Sequence, residues 1–166
     1  ELIGGRPKVA SNSSPIPMPV PLAWNKLLPC FYDAGEPPCD PAATPTALYA
    51  LVEDISVLCI CLTAAYYPLS RSLSINRTLT LVGVNMPVLD GQQKVRVLEI
   101  KPGGAVDASG LVIRNGSAKC SHCYGGGILN QAVLNLSHSV LHHNWGTFGG
   151  GVANQAVGGD VAGLRG

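Results

Sequence analysis

Residues 125–135 read GGGILNQAVLN, and residues 149–159 read GGGVANQAVGG. Gly125-Gly126-Gly127 falls on Gly149-Gly150-Gly151, and Asn130-Gln131-Ala132-Val133 falls on Asn154-Gln155-Ala156-Val157, a shift of 24 residues. A weaker echo sets Leu111-Val112-Ile113 on Ser139-Val140-Leu141 at a shift of 28, with the CSHC segment (120–123) accounting for the excess. A period of about 20 to 30 residues with several short strands per period marks a solenoid. Each copy is one coil resting on its neighbour, and like residues stack into ladders along the axis.

Composition agrees with such a fold. The 166 residues suffice for one domain and a modest extra segment. Charged residues are 13% of the chain, well below the usual quarter, while Gly is 20 and Pro 13. An apolar, Gly-rich chain poor in charge suits short buried strands joined by tight turns. Eleven Lys and Arg against ten Asp and Glu give a net charge of +1, no electrostatic footprint for nucleic acid. No apolar run approaches the ~18 residues of a membrane span. Nor does a signal peptide open the sequence, which reads as a processed or trimmed piece of a longer chain.

Outward from the repeat, the chain divides into four parts. Residues 1–43 form a Pro-rich extended arm, with Pro at 15, 17, 19 and 21 and a loop bracketed by Cys30 and Cys39. Residues 44–55 predict a helix, with Thr44 as N-cap, Pro45 at the first helical position, and Leu48, Leu51, Val52 and Ile55 as one apolar stripe. Residues 56–157 hold the coils, and 158–166 are an irregular or truncated C-terminus. Within the coils, SVLCICL (56–62) is apolar on both faces, so the main core should cover one side and the preceding helix the other. LSINRTLTLVGV (73–84) alternates, with Leu79 and Leu81 on one face and Thr78 and Thr80 on the other. Leu79, Leu81, Leu111, Ile113, Leu134, Leu136 and Leu141 are the expected inward ladders. Cys59 and Cys61 share one face and are expected to pack as small hydrophobes.

LTLVGVNMPVLDGQQKVRVLEIKPGGAVDASGLVIRNG followed by GGGILNQAVLNLSHSVLHHN resembles the right-handed parallel β-helix proteins of the pectin-lyase-like superfamily. The nearest flavour is the polymorphic-outer-membrane-protein and adhesin-like type, with its GGGI-x-N and x-L-x-I-R-N-G phrases. The resemblance covers roughly residues 45–157 and implies an all-β fold: a short β-helix entered through an N-terminal capping helix. The front of the chain matches nothing in that pattern, and VGGDVAGLRG breaks the strand expected after Val157. About four coils follow, stacking to roughly 19 Å at the spacing of neighbouring strands. The resemblance also implies that Asn130 and Asn154, at equivalent coil corners, form a structural amide ladder.

Six Cys lie in three close pairs. Disulfides are expected between Cys30 and Cys39 and between Cys120 and Cys123, and the even count fits an oxidising compartment. Sequons at Asn12, Asn76, Asn115 and Asn135 are N-glycosylation candidates and point the same way, to an extracellular or cell-surface glycoprotein. The CSHC segment with His138, His142 and His143 also has zinc-ligand chemistry, but one C-x-x-C alone does not specify a metal, and none is expected.

A superfamily enzyme needs carboxylates gathered on one outer face. The six Asp are scattered, with no Asp pair. A Ca²⁺-dependent polyuronate lyase would have to use Asp90, Asp107 and Arg114, for which a turn residue and an outward strand residue are the plainer readings of the two Asp. No cofactor is expected outside that lyase reading. His142 and His143 stand where Arg114 and Asn115 stand one coil earlier. Arg114, His142, His143 and Trp145 are therefore the candidates for holding a glycan, with Asn76, Thr78 and Thr80 upstream on the same face. The expected function is a non-enzymatic, extracellular structural or adhesive module that binds a polysaccharide or protein. The alternatives are a polyuronate lyase and an assembly subunit that docks through its arm and open last coil.

Overall fold

A computed structural model describes residues 39–119 and 123–155. β1 (Asp40–Ala42) and α1 (Pro45–Glu53) come first. The first coil is β2 (Cys59–Leu62), β3 (Tyr66–Pro68) and β4 (Leu73–Ile75). The second is β5 (Thr78–Gly83), β6 (Val88–Asp90) and β7 (Leu98–Ile100). The third is β8 (Ala105–Ser109), β9 (Val112–Arg114), β10 (Ser117–Ala118) and β11 (Ile128–Asn130). The fourth is β12 (Val133–Ser137), β13 (Val140–His142), β14 (Trp145–Gly146) and β15 (Val152–Asn154).

Equivalent strands stack in parallel. One sheet runs β1-β2-β5-β8-β12, a second β3-β6-β9-β13, a third β4-β7-β11-β15, and β10 pairs with β14. The molecule is thus a parallel β-solenoid of about four turns with one short helix near its N-terminal end. The register matches the repeat: Ile128 lies on Val152 and Asn130 on Asn154, while Val112 lies on Val140.

Alternation along each strand builds the interior. Leu79 lies on Val106 and Val106 on Leu134; Leu81 lies on Ala108 and Ala108 on Leu136; Leu89, Ile113 and Leu141 form a third row. Leu79, Leu81, Leu89, Leu111 and Ile113 are fully buried, each worth about 2 kcal/mol of transfer free energy. Leu134, Leu136 and Leu141 pack against the same core but are only partly buried, because no described coil lies beyond them.

The helix starts where its cap predicts. Thr44 Oγ1 accepts from the Ala47 N–H at 3.1 Å, and Pro45 occupies the first turn. It ends at Glu53, earlier than the apolar stripe suggests. Asp54 is extended and its carboxylate takes the Ser56 N–H at 2.9 Å, so Ile55 leaves the stripe and is 83% exposed. The Arg77 guanidinium closes the helix end, donating to the carbonyls of Leu51, Val52 and Val57. Leu48 and Val52 seal this end of the main core together with Ile60 and Leu62.

Further expectations are corrected here. The outer face of β2 is covered not by the helix but by the segment around Cys39, and Cys39, Cys59 and Cys61 form a separate small cluster with Val82. Cys39 pairs with Cys61 (Cα–Cα 5.5 Å) rather than with Cys30. The reason is register: β1 lies parallel on β2 with Pro41 opposite Cys61, which brings the preceding Cys39 over that outward side chain. Residues 40–42 are accordingly the first strand of a sheet, not the end of a free arm. Cys59 and Cys123 are disulfide-bonded too, so Cys59 and Cys61 are not free thiols packed in the core. Cys30, Cys120 and the rest of the arm lie outside the described residues.

A non-reducing digest should therefore recover a peptide linking Cys39 to Cys61. Cys39→Ser should cost about 3 to 3.5 kcal/mol in urea unfolding, the loop entropy of closing a separation of 22 residues. A Cys30–Cys39 peptide in place of the Cys39–Cys61 one would refute the register of β1.

Candidate functional site

Two outer faces and one corner carry the polar residues singled out in the sequence. On the second sheet, Asp90 lies on Arg114 and Arg114 on His142. Asp90 closes β6 and is only 3% exposed. It accepts from the Gln92 N–H (2.7 Å), Arg114 Nε (2.9 Å), Asn115 Nδ2 (3.0 and 3.1 Å to its two oxygens) and the Tyr66 hydroxyl (3.2 Å). The Arg114 guanidinium also lies 5.7 Å from the centre of the Tyr66 ring. Burial pushes the Asp90 carboxyl up, but these donors outweigh it and hold its pKa below the usual value.

That carboxylate thus joins the second and third coils. Its depressed pKa means that it contributes stability above pH 3.8, its ordinary value, and that this is lost as pH falls through the lowered value. Asp90→Asn should cost about 2 kcal/mol at neutral pH, since it breaks charge-assisted bonds to Arg114 and to the Gln92 N–H. Its melting temperature should also fall less than that of the parent between about pH 5 and pH 2. Some acid slope remains, because Asp54 is held low by its bonds to Ser56. Equal slopes for parent and variant would show that Asp90 is not held this way.

The residues of the lyase reading are not brought together. Asp90 is saturated by protein donors and Arg114 is engaged with it, whereas Asp107 lies on the first sheet, between Thr80 and Asn135 in register. Asn135 Nδ2 reaches Asp107 Oδ1 at 3.4 Å, and a shallow groove of about 250 Å³ runs over Thr78, Thr80, Asp107 and Asn135. Thr78 and Thr80 therefore do not share a face with Arg114 and His142, as the sequence suggested; a turn of the coil separates them. Among the described residues no group of three or more His, Cys, Asp or Glu is placed to hold a metal, and Cys123 is in a disulfide, not a thiolate. None of the described helices is long and apolar enough to cross a membrane.

Of the sequons, Asn76 and Asn135 are exposed. Asn115 is half-buried, in a left-handed turn (φ 50°), and committed to Asp90. Asn12 lies outside the described residues. Asn130 Nδ2 donates to Asn154 Oδ1 at 3.0 Å, Asn130 Oδ1 accepts from the Ala132 N–H, and Gln131 donates to Gln155 beside them.

A deeper concavity lies at the corner after the second sheet, where β10 pairs with β14 and Ser117 faces Trp145. It is a cleft of about 530 Å³ lined by Gln93, Ser117, Lys119, His143, Asn144 and Trp145. The backbone places these groups. His143 is left-handed (φ 54°), one coil above the equivalent turn at Asn115, and swings the chain around the corner. Asn144 anchors the turn, accepting from the Gly116 N–H at 2.7 Å and donating to the Ile113 carbonyl at 3.0 Å. Trp145 is 56% exposed. Of the four glycan candidates, His143 and Trp145 line this cleft. Arg114 does not, being tied to Asp90, and His142 meets His143, with their Nδ1 atoms 2.5 Å apart. Gln93, Ser117, Lys119 and Asn144 were missed in the sequence; the N-G-S-A phrase at 115–118 and N-W at 144–145 mark their two turns, but not that the turns stack.

Fold and corner together define a small parallel β-solenoid with an aromatic, amide- and lysine-lined cleft. The chain matches no protein-family model, no curated protein and no solved structure.

Proposed function

We propose that this protein is a non-enzymatic, extracellular structural or adhesive module, a right-handed β-helix of the pectin-lyase-like type, that holds a glycan in the Trp145 cleft. The observation that carries the reading is Trp145, half exposed on the cleft wall beside the amides of Gln93 and Asn144 and the ammonium of Lys119. A flat aromatic face flanked by amides and a cation suits a sugar ring, which offers C–H groups to the indole and hydroxyls to the polar rim. Ser117 supports it: among the described residues its buried Oγ has no hydrogen-bond partner at the cleft, an orphan that a native structure rarely keeps without reason. The Cys39–Cys61 pair supports an oxidising, extracellular setting. The superfamily reading is supported by the parallel coils and by the Gly and Asn positions of the repeat.

Trp145→Ala should weaken retention on the best glycan of a polysaccharide panel at least about tenfold, the loss of a stacked aromatic, with the circular dichroism spectrum unchanged. Lys119→Ala should weaken binding less and reduce its salt dependence. Unaltered retention by Trp145→Ala would sink the assignment of the cleft.

A further inference from the structure

We propose that Asn76 is the sequon asparagine that carries an N-linked glycan, and that Asn115 and Asn135 are held in structural roles instead. Asn76 and Arg77 form the two-residue connection between β4 and β5, at the corner after the third sheet. The backbone is pinned on both sides of Asn76. The Ile75 carbonyl accepts from the Lys101 N–H at 2.7 Å, and the Arg77 carbonyl accepts from the Ala105 N–H at 3.1 Å. The Arg77 side chain runs to the carbonyls of Leu51, Val52 and Val57 at the helix end. The middle residue of Asn76-Arg77-Thr78 is thus tied to the body of the molecule, while Asn76 and Thr78 on either side of it are exposed. Among the described residues no hydrogen bond engages the Asn76 amide. One coil later this corner is Lys101-Pro102-Gly103, exposed throughout, which leaves room for a bulky substituent. An N-x-S/T acceptor belongs on a surface loop, and this one is there.

The other two described sequons fail on geometry. Asn115 Nδ2 donates to both Asp90 oxygens, and Ser117, whose hydroxyl completes that sequon, is only 6% exposed. A sugar on Asn115 would pull its amide from Asp90 and wedge polar bulk between coils, so a chain carrying it would not reach this fold. Asn135 is exposed, but it is the central residue of β12, opposite Asp107 in register, with its Nδ2 toward that carboxylate. Ser137 lies in the same strand, opposite Ser109. Extended pairing keeps Asn135 and Ser137 apart and denies the turn in which an Asn side chain meets the residue two places on. In the transfer itself, Asn76 Nδ2 attacks the anomeric carbon of an oligosaccharide carried on a lipid pyrophosphate. The C–N bond forms, the C–O bond to the pyrophosphate breaks, Nδ2 gives up one proton, and the lipid pyrophosphate leaves. The inference rests on the extracellular setting proposed above, and not on the Trp145 cleft, which lies at a different corner.

Secretion of the full chain from eukaryotic cells, with Asn12→Gln to remove the sequon outside the described residues, tests it. Peptide-N-glycosidase in heavy-oxygen water turns each occupied Asn into a labelled Asp, and the peptides are read by mass under non-reducing conditions. Label is expected at Asn76 and not at Asn115 or Asn135. Asn76→Gln should abolish the glycosidase-sensitive shift in gel mobility, with the circular dichroism spectrum and polysaccharide retention unchanged. A bare Asn76 overturns the proposal, and so does label on Asn115 or Asn135. The Cys39–Cys61 peptide in the same digest reads the setting separately. That link beside a bare Asn76 overturns the glycan assignment and leaves the oxidising setting standing. Free Cys39 and Cys61 beside a labelled Asn76 support the assignment and count against the setting alone.

Discussion

Gly127→Ala should destabilise the protein by at least about 3 kcal/mol, while Gly151→Ala, at the equivalent place one coil later, should be close to neutral. A Cβ at Gly127 would lie 2.6 Å from the Gly151 carbonyl oxygen and 2.9 Å from the Asn144 amide, both held by hydrogen bonds between coils. Backbone cannot move aside as a flexible side chain would, so the cost lies at the upper end for overpacking. At Gly151 the nearest atom is Leu141 Cδ2 at 4.0 Å, an ordinary contact, because no described coil rests above it. Urea unfolding of the two variants reads the difference. Equal costs would mean that Gly151 is as closely covered as Gly127.

Leu81→Ala should be the most damaging of the core truncations, at about 4 kcal/mol. Leu81 is fully buried and stacked between Ile60 below and Ala108 above. Ala108 is small, so the row cannot close over the space, and the cavity adds to the lost transfer energy. Leu136→Ala, in the same row but only partly buried in the last described coil, should cost about 1 to 2 kcal/mol, since solvent enters where a cavity would form. The ratio of the two costs measures how far the core extends along the axis. If Leu136→Ala proved as costly as Leu81→Ala, Leu136 would be as fully packed as Leu81.

The coil architecture was legible because it is written in residues with few alternatives. Glycines stand where coils approach backbone to backbone, and Asn130 and Asn154 recur at one corner. The alternation of Leu79 and Leu81 with Thr78 and Thr80 likewise gave inside and outside correctly. What a period cannot give is the phase of each coil's corners. The Thr stripe and the Arg114–His142 row were therefore placed on one face, although they belong to different sheets. The Cys39–Cys61 link was missed because it depends on β1, and Asp40-Pro41-Ala42 has no strand propensity of its own; it pairs only because β2 offers an edge. The helix was overrun because Asp54 reads as one more helical residue until its carboxylate captures the Ser56 N–H. The cleft stayed hidden for a related reason. It rests on the pairing of two-residue strands, Ser117–Ala118 with Trp145–Gly146, which have no periodic signal at all.

The most direct test incubates the purified protein with a panel of plant and algal polyuronates and neutral glycans, with and without Ca²⁺. Bound polymer and the ultraviolet absorbance of unsaturated products are followed together. Retention of a polymer with no product in either condition is the predicted result. Product that accumulates with Ca²⁺ and vanishes on Asp107→Ala would contradict the account and make this protein a lyase.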